Sequence, residues 1–138
     1  MQNRIIQFSV FLSMLMFSCH DEILMDSSTE INQSSSMEDD NAYLDSLYQE
    51  ILLLSGSFDC INEANWTFTA LGARACGGPE MYIAYSIKMD TVTFLNKVKL
   101  YTDSQRYYND KWGIASICSV VTPPKGVICV DGKPIFVY

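Results

Sequence analysis

The segment Asp90–Trp112, DTVTFLNKVKLYTDSQRYYNDKW, carries the strongest periodic signal in the chain and decides the fold. Its large apolar side chains recur at intervals of three and four residues, a spacing typical of one face of an α-helix. Asp90 is a suitable N-cap and Gly113 a suitable C-terminal stop. The segment therefore predicts a long amphipathic helix. Its apolar stripe consists of Phe94, Leu95, Val98, Tyr101, Tyr108 and Trp112.

The segments around this helix predict short strands and one further helix. Residues 40–57 repeat apolar side chains at helical spacing, with Asp39 or Asp40 able to cap the start. The strands, separated by turns rich in Gly and Pro, are 66–71, 81–87, 114–121, 126–130 and 134–138. We therefore expect an α+β fold: an N-terminal helix, a small antiparallel sheet of about four or five strands, and the long helix packed across it. The expected core is Trp66, Phe68, Leu71, Ile83, Tyr85, Phe94, Leu95, Val98, Tyr101, Trp112, Ile117 and Val120.

The first 18 residues have the organisation of a secretory signal peptide. Arg4 supplies the positive charge, Phe8–Phe17 is almost wholly apolar, and Ser18 is the small residue before the cut. The apolar run is shorter than the roughly 20 residues that a membrane span needs. Residues 1–18 are therefore predicted to be removed; the alternative is a buried N-terminal helix.

The end of this leader predicts lipidation. Met16-Phe17-Ser18-Cys19 resembles the lipobox of bacterial lipoproteins, in which the cysteine is acylated and becomes the new N-terminus. Phe17 departs from the strict pattern, but the Ser-Cys form is similar to that of Bacteroidota lipoproteins. Asp21-Glu22 is similar to their surface-export signal. The resemblance implies an anchor at Cys19 in the cell envelope, in the outer membrane or at the cell surface. The alternative is an ordinary secreted protein in which Cys19 is free or paired.

The net charge of −7 is unevenly distributed. Residues 20–56 contain nine acids and no Lys or Arg, whereas residues 57–138 contain seven acids and eight bases. We therefore expect a disordered acidic tether at 19–39, a helix at 40–57 that leads into the domain, and a stapled domain at 58–138. Because the chain has no basic patch, its composition argues against a nucleic-acid partner.

The cysteines are the strongest chemical signal. With Cys19 set aside as the lipid carrier, four remain, an even number that favours two disulfides with three possible connectivities. If Thr122–Lys125 is a hairpin loop, Cys118 and Cys129 lie opposite each other and can pair, which leaves Cys60 for Cys76. No two of these cysteines have the close spacing of a structural zinc site. We expect neither a metal nor a cofactor.

The inventory of catalytic side chains argues against an enzyme. His20 is the only histidine of the chain, and it lies in the predicted tether beside Cys19. A Ser-His-Asp or Cys-His site within the domain is therefore excluded. The acids of the domain are scattered near turns and are expected to be solvated. No catalytic residue is predicted, and a small carboxylate-dependent hydrolase is a distant third function.

Binding is the leading functional expectation. Tyr107 falls off the apolar stripe of its helix, and exposed tyrosines make rigid anchors at protein interfaces and on sugar-binding faces. Pro123, Pro124 and Lys125 would lie in a loop closed by Cys118 and Cys129. The sequence thus predicts a lipid-anchored, non-enzymatic module for an unknown protein or glycan partner. The alternative is an inhibitor of a secreted protease or lysozyme whose rigid Cys118–Cys129 loop is broadly similar to those of Bowman–Birk inhibitors, with Lys125 as specificity residue.

Residues 58–133 also contain a recognisable pattern. It consists of Cys60, Trp66, Gly72, Cys76-Gly77-Gly78-Pro79, Tyr82-Ile83-Ala84-Tyr85-Ser86, Asp90, Asn109, Cys118, Pro123-Pro124, Cys129 and Gly132-Lys133. This pattern resembles that of small Bacteroidota lipoproteins of unassigned function, and the resemblance implies no particular activity. The chain departs from them at Pro134, where they often have a cysteine after Gly-Lys.

Overall fold

The computed structural model describes residues 30–138 and has the predicted α+β class. The predicted signal peptide, Cys19 and the first part of the predicted tether lie outside the described residues. Within the described range, no helix has both the length and the apolar character needed to cross a membrane. The elements are α1 (Met37–Ser55), a 3₁₀ turn at Glu63–Asn65, β1 (Trp66–Leu71), β2 (Met81–Ser86), α2 (Thr91–Trp112), β3 (Gly126–Val130) and β4 (Lys133–Val137).

Helix α2 confirms the prediction from its periodicity. The Asp90 carboxylate accepts hydrogen bonds from the backbone N–H of Thr93, at 3.1 Å, and from its hydroxyl, at 2.7 Å. Gly113 ends the helix in the left-handed conformation, with φ of 59°. Phe94 and Val98 are buried as expected, but Leu95 is exposed, so the apolar stripe is narrower than predicted.

Helix α1 begins earlier than predicted because Ser36 caps it. The Ser36 hydroxyl accepts from the Asp39 backbone N–H at 3.1 Å, and the Asp39 carboxylate reaches back to Ser36 to complete a capping box. Asp39 and Asp40 therefore lie inside the helix and are not its N-cap. The predicted disordered tether, 19–39, therefore extends too far, because residues 37–39 belong to α1.

A buried ion pair joins the start of α1 to the end of α2. The Asp40 carboxylate accepts from Lys111 Nζ at 2.6 Å and from Trp112 Nε1 at 2.9 Å. Its other oxygen accepts from the Ser35 hydroxyl. Lys111 Nζ also donates to the carbonyl of Asn32 at 2.6 Å, which ties residues ahead of α1 to α2. Asp40, which was predicted as a possible N-cap, is therefore an internal contact of the fold.

The strands form two separate hairpins, and the prediction of a single sheet is wrong. β1 pairs with β2 in antiparallel register from Trp66↔Ser86 to Leu71↔Met81. β3 pairs with β4 from Gly126↔Val137 to Val130↔Lys133. The predicted strand at 114–121 does not form, because no strand of the described residues lies beside it to pair with; Ile117 and Val120 are 87% and 93% exposed.

The turn of the β3–β4 hairpin explains the misplaced strand. Asp131 and Gly132 both adopt positive φ, 50° and 75°, as a two-residue turn of the type I′ class requires. Asp-Gly between apolar segments is a strong hairpin signal, and the hairpin turns there and not at Thr122–Lys125 as predicted. β4 begins at Lys133, one residue before the predicted edge strand.

The core lies between α1, α2 and the β1–β2 hairpin. The apolar stripe of α1 packs against α2 and adds Leu44, Leu47 and Ile51 to the core. The predicted core did not include these three side chains. Ile117, Val120 and Leu95, which were predicted to be in the core, are exposed. The buried cluster consists of Leu44, Leu47, Ile51, Leu71, Ile83, Tyr85, Phe94, Val98, Tyr101 and Tyr108.

One disulfide joins Cys60 to Cys129, with a Cα–Cα distance of 5.1 Å. Both predicted pairings, Cys60–Cys76 and Cys118–Cys129, are therefore wrong. Since the hairpin turns at Asp131–Gly132, Cys129 faces the segment before β1, where the Cys60 N–H donates to the Gly132 carbonyl at 2.8 Å. Cys76 and Cys118 are exposed thiols.

Candidate binding cleft

A cavity of about 380 Å³ opens between α1, α2 and the loop that joins β1 to β2. We call it the helix cleft. Its volume falls within the range of roughly 300–1,000 Å³ that small-molecule sites occupy. The chemistry of its wall is mixed, with aromatic rings, carboxylates and amides. The side chains that matter for recognition are Asp45, Tyr48, Glu80, Tyr101, Tyr108 and Asn109.

Polar side chains of α2 hold the loop wall of the cleft in place. The backbone N–H of Gly72 donates to Thr102 Oγ1 at 3.1 Å, and that of Ala73 donates to Gln105 Oε1 at 2.7 Å. Asn109 Nδ2 donates to the Ala73 carbonyl at 2.8 Å. These bonds satisfy backbone groups that have no strand partner and fix the wall before any ligand arrives.

Gly72→Ala is expected to destabilise the protein and displace this wall. Gly72 has φ of +76°, and a Cβ there would lie 2.5 Å from Gln105 Oε1. Gly78 is a matched control, since its φ is +78° and nothing lies within 4 Å of the corresponding Cβ position. We expect Gly72→Ala to lower the free energy of unfolding by about 1–2 kcal/mol more than Gly78→Ala, measured by urea denaturation. Equal losses would show that the contact with Gln105 is unimportant.

Two tyrosines place hydroxyl groups at the cleft. Tyr101 and Tyr108 are only 9% and 8% exposed, and among residues 30–138 neither hydroxyl has a hydrogen-bond partner. Because no fully buried polar side-chain atom in that range lacks a partner, these hydroxyls must be reached by solvent. Both residues line the helix cleft.

The Tyr101 hydroxyl stays protonated, chiefly because its side chain is largely buried. Burial raises the pKa of Tyr101 to about 12, and the negative charge of Glu80 adds to the effect. Tyr101 therefore remains a neutral hydrogen-bond donor and acceptor across the physiological pH range. Glu80 accepts a hydrogen bond from Gln105 Nε2, and with Asp45 it supplies carboxylate acceptors at the rim. Arg74 also lines the cleft, and its Nη1 donates to the carbonyl and the hydroxyl of Ser119.

The predicted binding residues lie elsewhere and not all together. Tyr107 is exposed on α2 in a shallow depression beside Ile31 and Tyr43. Pro123 and Lys125 are exposed next to β3, but Pro124 is buried and cannot contact a partner. Because Cys129 bonds to Cys60, the disulfide-closed loop on which the inhibitor hypothesis depended does not form.

Sequence reasoning missed the cleft because it treated its residues separately. It placed Tyr101 in the core and considered Glu80 a solvated acid, whereas the structure brings both to one cavity. A usable signal was present: buried tyrosine hydroxyls normally find a polar partner, so Tyr at a core position hints at one. No group of three or more His, Cys, Asp or Glu side chains within residues 30–138 is placed to hold a metal ion.

Comparison with known proteins adds no further constraint. No protein-family model, curated protein or solved structure matches the chain.

Proposed function

We propose that this protein is an exported, lipid-anchored, non-enzymatic binding module that holds a neutral glycan unit in the helix cleft. The observation that carries the proposal is a pair of tyrosines that are almost fully buried but whose hydroxyls are reached by solvent and have no partner among the described residues. In the free protein, water satisfies these hydroxyls, so they remain available to a ligand. The hydroxyls of a bound ligand would displace that water and take over its hydrogen bonds.

The composition of the cleft favours a sugar over other small ligands. A sugar ring presents hydroxyl groups around an apolar body, so it needs both acceptors and aromatic surface. Asp45 and Glu80 supply acceptors, while Tyr48 and Tyr101, whose ring centroids are 5.7 Å apart, supply the aromatic wall. The carboxylates of Asp45 and Glu80 outnumber the guanidinium of Arg74 along the wall of the cleft, so a neutral ligand is favoured over a phosphate or a carboxylate.

Two features support export and anchoring. The Met16–Cys19 segment resembles a lipobox, and a disulfide such as Cys60–Cys129 persists mainly in oxidising compartments. Two or three acyl chains on Cys19, each methylene contributing about 0.8 kcal/mol, would hold the protein firmly on an envelope membrane. We infer that its relatives are the Bacteroidota lipoproteins which its cysteine and glycine pattern resembles.

The intact mass of membrane-extracted protein tests the anchor. We expect cleavage before Cys19 together with the added mass of acyl chains. In a Cys19→Ala variant, we expect acylation to be lost and the protein to leave the membrane fraction. An uncut leader in the wild-type protein would disprove export by this route.

Glycan binding is expected to depend on the two cleft hydroxyls. Tyr101→Phe and Tyr108→Phe should each weaken affinity about tenfold, because loss of one hydrogen bond costs roughly 1–1.5 kcal/mol. Folding stability should change little, since neither hydroxyl has a protein partner among the described residues. Tyr85→Phe is the matched control: Tyr85 is equally buried in the same core but does not line the cleft.

The measurement is a screen of the oxidised protein on an array of neutral glycans, followed by titration calorimetry with the strongest ligand. Failure to bind any glycan, or equal affinities for the Tyr85, Tyr101 and Tyr108 variants, would refute the proposal. Release of shortened glycan that stops in Glu80→Gln would instead identify a carboxylate-dependent hydrolase.

A further inference from the structure

We propose that Cys76 and Cys118 form a second disulfide, which ties the glycine-rich turn before β2 to the segment at 114–125. We call this segment, which has neither helix nor strand, the strap. The inference concerns how the domain is held together and is independent of the proposed glycan ligand.

The two thiols share one site. Cys76 and Cys118 line the same cavity, which has a volume of about 200 Å³. Ser116 touches both of them: its hydroxyl lies 3.4 Å from the Cys76 sulfur, and its carbonyl oxygen lies 4.0 Å from the Cys118 sulfur. The same hydroxyl accepts a hydrogen bond from the Cys76 backbone N–H at 3.2 Å. Both thiols are therefore held against the same residue, at one site.

A second contact holds the strap beside the turn. Arg74 Nη1 donates to the Ser119 hydroxyl at 2.8 Å and also to the Ser119 carbonyl. The turn and the strap are therefore joined by two sets of hydrogen bonds, from Arg74 to Ser119 and from the Cys76 backbone to Ser116. The juxtaposition extends over several positions of both segments.

Because Cys60 and Cys129 are already bonded, Cys76 with Cys118 is the one pairing left within the domain. The two sites differ in access, because Cys60 is almost fully buried whereas Cys76 and Cys118 are exposed. Exposed disulfides are the more easily reduced, so the Cys76–Cys118 bond should open first.

The bond would form by exchange with an oxidant that itself carries a disulfide. The Cys76 thiolate attacks one sulfur of the oxidant, forms a mixed disulfide and expels the other sulfur as a thiolate. The Cys118 thiolate then attacks the Cys76 sulfur, forms the internal bond and releases the second oxidant sulfur. The two protons lost by the protein end on the two reduced oxidant sulfurs.

Cys76 is the better initial nucleophile. Hydrogen bonds from Cys118 and Ser116, with the nearby charge of Arg74, hold the pKa of the Cys76 thiol below its usual range. The pKa of Cys118 is raised, chiefly by its interaction with Cys76. The thiolate is the reactive form, so attack begins at Cys76.

A Cys76–Cys118 bond would restrain the strap where it lines the helix cleft. Ser116, which contacts both cysteines, also lines the helix cleft together with Ile114. A Cys76–Cys118 bond would hold that part of the cleft wall in place, in a segment that otherwise lacks regular secondary structure.

Peptide mapping of the full chain carrying Cys19→Ala, oxidised with glutathione disulfide, tests the pairing, because Cys60 is then the one cysteine of peptide 5–74. Trypsin places each domain cysteine on a separate peptide: Cys60 on 5–74, Cys76 on 75–88, Cys118 on 112–125 and Cys129 on 126–138. We expect 75–88 linked to 112–125, and 5–74 linked to 126–138. Alkylation of Cys76 and Cys118 without prior reduction, or a link from either of them to another peptide, would overturn the inference.

Native reduction tests the difference in access. With a low concentration of dithiothreitol, the link between 75–88 and 112–125 should disappear about tenfold faster than the link between 5–74 and 126–138, because the first pair is exposed. Cys76→Ser and Cys118→Ser should each leave one thiol that is alkylated at once, while the Cys60–Cys129 link stays intact as an internal control. Equal rates of reduction would refute the claim that the exposed bond opens first.

Discussion

Asp40→Ala is expected to lower the free energy of unfolding by about 3–5 kcal/mol, the range measured when one member of a buried ion pair is removed. Asp40 is 1% exposed and its partner Lys111 only 11% exposed. Without the carboxylate, the Lys111 ammonium would stay largely buried with carbonyl and hydroxyl oxygens as its remaining partners. Trp112 Nε1 would lose its acceptor as well. A loss of this size is a large share of the stability of a small domain.

Urea denaturation measures this loss, with two controls. Glu38→Ala removes an exposed acid from the same first turn and should change stability by no more than about 0.5 kcal/mol. The double variant Asp40→Ala/Lys111→Met removes both charges and should recover much of the stability, because no unpaired charge remains buried. If Asp40→Ala were no more harmful than Glu38→Ala, the ion pair would not hold α1 to α2.

The same pair predicts how stability depends on pH. Burial alone would raise the pKa of Asp40, but hydrogen bonds from Lys111, Ser35 and Trp112, with the charge of Lys111, hold that pKa below its ordinary value of 3.8. A carboxylate whose pKa is depressed on folding contributes stability at neutral pH and loses it as the pH falls through and below that ordinary value. We therefore expect wild type to lose more stability than Asp40→Asn between pH 6 and about pH 3. Parallel pH profiles would contradict this assignment.

Cys60→Ala/Cys129→Ala is expected to cost about 4 kcal/mol, the second largest effect. The disulfide spans 69 residues, and closing so long a loop removes much of the conformational entropy of the unfolded chain. It also attaches the β3–β4 hairpin to the segment before β1, where the contacts between the two hairpins are otherwise few. The variant should therefore unfold at lower temperature and lower urea concentration than wild type.

A thermodynamic cycle separates the bond from the packing of its sulfurs. Cys60→Ala and Cys129→Ala should each lose nearly as much stability as the double variant, because either change breaks the same bond. Additive losses would mean that the two side chains act independently and that the bond contributes little. Calorimetry under non-reducing conditions supplies both the melting temperature and the enthalpy.

Local signals in the sequence were sufficient for the elements that depend on neighbouring residues. The span of α2 follows from apolar spacing, the Asp90 cap and Gly113, all contained within one stretch of chain. The α+β class follows from the same kind of pattern. Ser36 with Asp39 and Asp131-Gly132 were equally local signals, and reading them would have placed the start of α1 and the β3–β4 turn correctly.

The disulfide pairing could not be read locally. It depends on which strand lies beside the segment before β1, and a turn moved by a few residues changes the partner of Cys129. The exposure of Ile117 and Val120 has a similar origin: β-forming residues need a neighbouring strand, and the structure offers none to the strap.

By itself, the sequence determined the helical periods, the α+β class and an even set of cysteines within the domain. Only the tertiary structure decided that Asp40 lies buried against Lys111, that Cys60 bonds Cys129, and that Tyr101 and Glu80 share a cleft. The physical reason is distance along the chain. Propensity and capping act over a few residues, whereas these contacts join positions that only the packing of α1 on α2 and of the two hairpins brings together.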